Sequence, residues 1–274
     1  MSAHALGGSA SSALDAMGRG AELVRRLPGW TALLVLTAMP VRLLTALLVW
    51  QVWQLGAEAG HHADALTSLA LVTLCAWVVS LLGRHWFMRA CRSELDGGRA
   101  TARAVLRVPP GDLVAYLYLA LLLEMLFWAL LPSVGIPWML VAFSALAISA
   151  APGHGTGVLA PLRALGEVAR PMPILVLGLG FTLALPLAFA NLHLAAQAGL
   201  WLAGGVAGFD LTRWHALLDL GQPLYVFQMV AAATLLLEPF WIAAMTVAAL
   251  QTRARRNGED LRQWFGELAT QERV

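Results

Sequence analysis

The sequence predicts an all-α protein, a polytopic membrane bundle of about six transmembrane helices with both termini in the cytoplasm. Three observations lead there. Of the 274 residues, 59% are hydrophobic and only 12% charged, with a mean hydropathy of +0.70, whereas a soluble domain carries about 25% charged residues. Apolar runs close to the roughly 20 residues that carry a helix across the hydrocarbon core recur along the whole chain. The arginines gather in alternate connections, as expected where short cytoplasmic loops retain basic residues.

Taken in order, residues 1–29 read as a cytoplasmic tail rich in Ala, Gly and Ser, with Arg19, Arg25 and Arg26 near its end. No short apolar core with a small-residue cleavage site follows, so the first run is expected to be retained as a helix. That span is placed at 31–55, where Pro40 introduces a kink and Arg42 interrupts the apolar surface. The second span is placed at 65–83. Residues 84–112 then form a basic cytoplasmic connection holding Arg84, Arg89, Arg92, Arg99, Arg103 and Arg107. Around a break at Gly97-Gly98 this segment reads as two short basic helices. They either contact anionic headgroups or a partner, or simply enforce topology.

The third and fourth spans, 113–131 and 134–151, are joined by a few residues from Pro132 onward and read as a tight helical hairpin; Glu124 lies in the third. Arg163 and Arg170 mark the next cytoplasmic connection. The fifth span, 174–200, contains Pro186. Residues 203–222 place Leu211, Trp214, Leu217 and Leu218 on one helical face, which suits a short helix in the outer interface. The sixth span, 223–250, carries Glu238 next to Pro239 near its midpoint, and 251–274 is an amphipathic cytoplasmic tail whose apolar face includes Trp264 and Phe265. That face suits the lipid surface or a partner protein. Trp30, Trp50, Trp53, Trp138 and Trp201 fall near span ends, where aromatic rings favour the headgroup layer.

Three ionisable residues interrupt the spans near their centres: Arg42, Glu124 and Glu238. A charge at that depth costs on the order of 2.5–3.5 kcal/mol on insertion scales, so it normally faces the bundle interior and finds a partner. If the first, third and sixth spans neighbour one another, all three meet at similar height as an intramembrane charge network. One role is structural, with Arg42 and the carboxylates fixing helix registry. The other is functional, with a glutamate that changes protonation along a proton or substrate route. Leu121-Leu122-Leu123-Glu124 and Leu235-Leu236-Leu237-Glu238 also echo one another, as the halves of an inverted-repeat transporter would.

Other chemistries lack their signatures. All 18 basic residues are arginine and the formal charge is only +2, which gives no nucleic-acid surface. Cys75 and Cys91 cannot supply a four-cysteine zinc site, and their separation argues against a structural disulfide. His61-His62 with Glu58 and Asp64 crowd one short outer loop, an arrangement that rarely converges on a metal without a scaffold. Gly153-His154-Gly155-Thr156-Gly157 has no lysine and no strand before it, and reads as a flexible connection. No nucleophile elbow or metalloprotease helix is present. The chain is therefore expected to be neither an enzyme nor a metal or cofactor binder.

Leu236-Leu237-Glu238-Pro239-Phe240, followed by a basic exit and Glu259-Asp260-Leu261, resembles the last span of a group of bacterial polytopic membrane proteins. That group is similar to the membrane domain of some glycerophosphodiester phosphodiesterases and is often encoded beside MoxR-type ATPases. The resemblance covers the last third of the chain. It implies a non-catalytic subunit of the bacterial inner membrane, a scaffold or assembly component. Its partners would be lipids and other subunits, among them a cytoplasmic ATPase or adaptor. A small secondary transporter using Glu238, Glu124 and Arg42 is the alternative.

Overall fold

The computed structural model describes residues 3–56, 63–108, 110–111, 113–114, 116–122, 172–206 and 218–257. Among them there is no strand. The helices are α1 (Ala3–Arg26), α2 (Pro28–Leu55), α3 (Ala63–Leu95), α4 (Ala102–Leu106), α5 (Met172–Gly205) and α6 (Pro223–Asn257), with further helical backbone at 116–122. Four of them, α2, α3, α5 and α6, are long and apolar enough to cross a membrane. The protein is a multi-pass helical membrane protein. The expected fourth span, most of the third, most of the outer segment 203–222 and the tail beyond Asn257 lie outside the described residues.

Three boundaries differ from the sequence reading. The supposed N-terminal tail contains a 24-residue helix, because Ala13, Ala16, Gly20, Leu23 and Leu27 recur at alternating spacings of three and four and form one buried stripe. Small residues lower hydropathy without removing that periodicity. The second span does not stop at residue 83 but continues as helix to Leu95, since Phe87, Met88, Ala90 and Cys91 are all buried. The sixth likewise runs on to Asn257.

The chain divides into two compact units. The first comprises Met1–Pro28, His85–Leu179 and Phe240–Val274. At its centre Ile242 to Ala249 of α6 are buried on every face, and their small side chains let neighbouring backbones approach. Gly20 of α1 makes the closest approach: a Cβ there would lie 2.7 Å from the Ala244 backbone nitrogen. On the outer face of α1, Arg19 pairs with Asp15, and Arg25 and Arg26 both pair with Glu22. Gln251 donates to Asp15 at 2.8 Å.

In the same unit α3 ends at a glycine turn. Gly97 takes a φ of +77°, its N–H donates to Glu94, and the N–H of Gly98 donates back to Ser93. This is the Schellman arrangement, which needs a residue free of Cβ at the left-handed position. Thr101 then caps α4 by accepting from the N–H of Ala104. Arg89 of α3 donates to the carbonyls of Ala104 and Arg107, which ties α4 to α3.

The second unit comprises Gly29–Arg84 and Gly180–Pro239. Its helices leave Leu36, Leu43, Leu71, Leu183 and Leu187 exposed, as a lipid-facing surface requires. Hydroxyls on these spans are silenced locally: Thr37, Thr73, Ser80 and Thr234 each donate to a carbonyl three or four residues earlier. Pro40, Pro186 and Pro239 all lie inside continuous helices, where each removes one backbone donor.

Candidate functional site

The second unit holds one buried ionic cluster, and α2, α3 and α6 each supply one member. Glu238 is buried on α6 at 6% side-chain exposure, midway along the apolar stretch Pro223–Gln251. Its Oε1 accepts a 2.6 Å hydrogen bond from Nε of Arg84, which is itself 7% exposed. Its Oε2 accepts a 3.1 Å bond from Nη2 of Arg42, whose side chain is one-third exposed. Each carboxylate oxygen therefore has its own guanidinium from a different helix. Charge-assisted bonds of this kind are about twice as strong as neutral ones.

Local packing puts Arg84 within reach. Its neighbour Gly83 sits so tightly against Thr37 of α2 that a Cβ would overlap the threonine hydroxyl. Leu34, Ala38 and Val41 of α2 and Ser80 and Leu81 of α3 are buried around that contact. Thr37 is held in its rotamer by bonds to the carbonyls of Leu33 and Leu34. With one residue lacking a side chain, α3 can approach α2 closely enough for an arginine to reach a carboxylate on α6.

Of the two strong contacts, the one to Arg84 dominates, because it is shorter and buried; the Arg42 contact is longer and partly screened.

Family models, curated proteins and solved structures were all compared with the chain, and none matches it.

Arg42 and Glu238 are thus brought together, while Glu124 lies outside the described residues. Arg84 stands elsewhere than the sequence reading put it. Expected on a lipid or partner surface with the other arginines of its segment, it is buried against Glu238, because α3 continues as helix past residue 83. The remaining arginines of that segment separate into two groups. Arg89 and Arg92 are partly buried, whereas Arg99, Arg103 and Arg107 are exposed. Trp264 and Phe265 lie outside the described residues, as do Glu58, His61 and His62.

His193 and Gln197 are polar residues of α5. Both have protein partners. His193 Nδ1 lies 2.8 Å from the hydroxyl of buried Tyr225, and Gln197 donates to the carbonyl of Leu218.

Proposed function

We propose that this chain is a non-catalytic, six-span subunit of the bacterial inner membrane with both termini cytoplasmic, serving as a scaffold or assembly component of an envelope complex. The observation that carries this reading is the engagement of both Glu238 oxygens by arginines of two other helices. A carboxylate so held joins α2, α3 and α6 at one point, and a buried polar contact can fix registry in a way that interchangeable leucines cannot. The arginine distribution supports the orientation. The resemblance of the last span to non-catalytic membrane domains agrees with it, and the partners are lipids and further subunits, including a cytoplasmic ATPase or adaptor.

One observation favours a second reading, the proton-coupled carrier. Arg42 is one-third exposed, so the cluster can be reached from outside the packed helices. The two are separated by Glu238→Gln, examined in detergent and in proteoliposomes containing a pH-sensitive dye. A scaffold loses thermal stability and shows no proton flux in either form. A carrier keeps its stability, and wild-type flux disappears in the variant.

A further inference from the structure

Helix α1 carries a face that the packing of the first unit does not use. Its buried row is Ala13, Ala16, Gly20, Leu23 and Leu27. One position after each of the first four comes a second apolar row, Leu14, Met17, Ala21 and Val24, again at spacings of three and four. Residues so spaced share one side of a helix. Leu14 is 69% exposed and Met17 37%, while Ala21 is exposed and Val24 half-buried. A third row is charged. It holds Asp15, Arg19, Glu22 and Arg26, joined by the pairs Arg19 with Asp15 and Arg26 with Glu22. Thus α1 has a face packed on protein, an ionic face and an exposed apolar face.

What covers the apolar face follows from where α1 ends. Only Leu27 separates Arg26, its last residue, from Pro28, the first of α2, and α2 is long and apolar enough to cross a membrane. Of the 28 residues of α2, roughly 20 are needed for the hydrocarbon core. At most about eight can precede it, which at 1.5 Å per residue is about 12 Å. The end of α1 therefore lies within about one helix diameter of the bilayer surface. The composition of the row also favours lipid over protein. Protein interfaces are enriched in aromatic residues and arginine, and this row has neither. Fluid acyl chains accept a row of uneven side chains such as Leu14, Met17 and Ala21 without a matching shape. A helix with one apolar and one ionic side is the form of segment that lies in the membrane interface.

We propose that α1 is an interfacial helix, with Leu14, Met17 and Ala21 entering the boundary between headgroups and acyl chains while Arg19 and Arg26 stay in water. The placement does not involve the Glu238 cluster and holds for the scaffold and the carrier alike.

The test uses the full-length protein in vesicles of phosphatidylethanolamine and phosphatidylglycerol. A Cys75→Ser background removes the exposed thiol. A nitroxide is then attached at Leu14→Cys, Met17→Cys or Arg19→Cys. Its collisions with oxygen, which dissolves preferentially in lipid, are compared with its collisions with a water-soluble nickel chelate. The ratio of oxygen to nickel collisions is expected to be several-fold higher for Leu14→Cys and Met17→Cys than for Arg19→Cys. Equal ratios with free access to nickel put the face in water and overturn the proposal. Shelter of the first two from both reagents assigns the face to a protein and overturns it as well; that protein is a second copy if the shelter is lost on dilution into excess lipid. Should the labelled variants fail to assemble, the wild type is reconstituted with a phospholipid carrying a diazirine just below its headgroup, irradiated, and digested for mass spectrometry. Adducts at Leu14 or Met17 support the proposal, and adducts confined to the spanning helices overturn it.

Discussion

Arg84 donates to Glu238 at 2.6 Å across 154 positions of sequence, with both side chains almost wholly buried. Removing one partner of such a pair strands the other, at a cost on the order of 3–5 kcal/mol. We expect Glu238→Gln to destabilise most, since it leaves two guanidinium groups without their carboxylate. Arg84→Met should follow, and Arg42→Met should cost least because its partial exposure screens the contact. The double variant Arg84→Met/Glu238→Gln should fall short of additivity by about 0.5–3 kcal/mol in equilibrium unfolding from detergent. Strict additivity would mean that the contact contributes nothing.

The approach of Gly83 to Thr37 yields a rescue experiment. Gly83→Ala gains about 1 kcal/mol of helix propensity but forces a methyl into the threonine side chain, and overpacking costs about 1–3 kcal/mol. A net loss of stability is expected. Thr37→Ala removes the hydroxyl and methyl that a new Cβ would meet, so the double variant should recover part of the loss in a thermal melt. No recovery would place the strain elsewhere.

At Gly20 the outcome should differ. A Cβ there meets the backbone nitrogen and Cα of Ala244 at 2.7 and 2.8 Å, atoms that no substitution removes. Gly20→Ala should therefore lower the melting temperature, and Ala244→Gly should fail to restore it. Restoration would show that the Ala244 methyl, and not the backbone, sets the distance.

Glu22 provides the pH dependence. Hydrogen bonds from Arg25 and then Arg26 hold its carboxyl down at about 2, well below the ordinary 4.5. A lowered folded-state value stabilises α1 above pH 4.5, and that contribution fades as pH falls from 4.5 through about 2. Carbon-13 titration of Glu22 should find a low midpoint that moves back toward 4.5 in Arg25→Gln and at high salt, since the pair is solvent-exposed. An ordinary midpoint in the wild type would remove this contribution.

The two cysteines should differ in reactivity. Cys75 is exposed and Cys91 buried, and both are free. In detergent, N-ethylmaleimide is expected to modify Cys75 in the native protein and Cys91 only after denaturation, as mass spectrometry of the digested chain would report. Equal native labelling would place Cys91 outside the core of the first unit.

Much of this was legible beforehand because hydropathy and spacing record it. Four of the expected spans coincide with long apolar helices, and Arg42 and Glu238 could be paired by their central positions alone. Arg84 could not, because it opens a segment with five other arginines and hydropathy ends the span just before it. The signal that could have found it is Gly83, a residue without a side chain next to an arginine at the edge of an apolar run. The α1 helix was missed for a related reason. Its buried stripe is built from alanine and glycine as much as from leucine, and such residues look like linker composition unless their alternating spacing is counted.

The contact between Gly20 and Ala244 also sets a schedule for biosynthesis. α6 is translated long after α1, so α1 must wait, with its apolar stripe uncovered, until α6 has left the ribosome. The first unit cannot be completed before α6 has been made. A nascent chain arrested before α6 would expose that stripe to whatever chaperone or membrane surface is nearest.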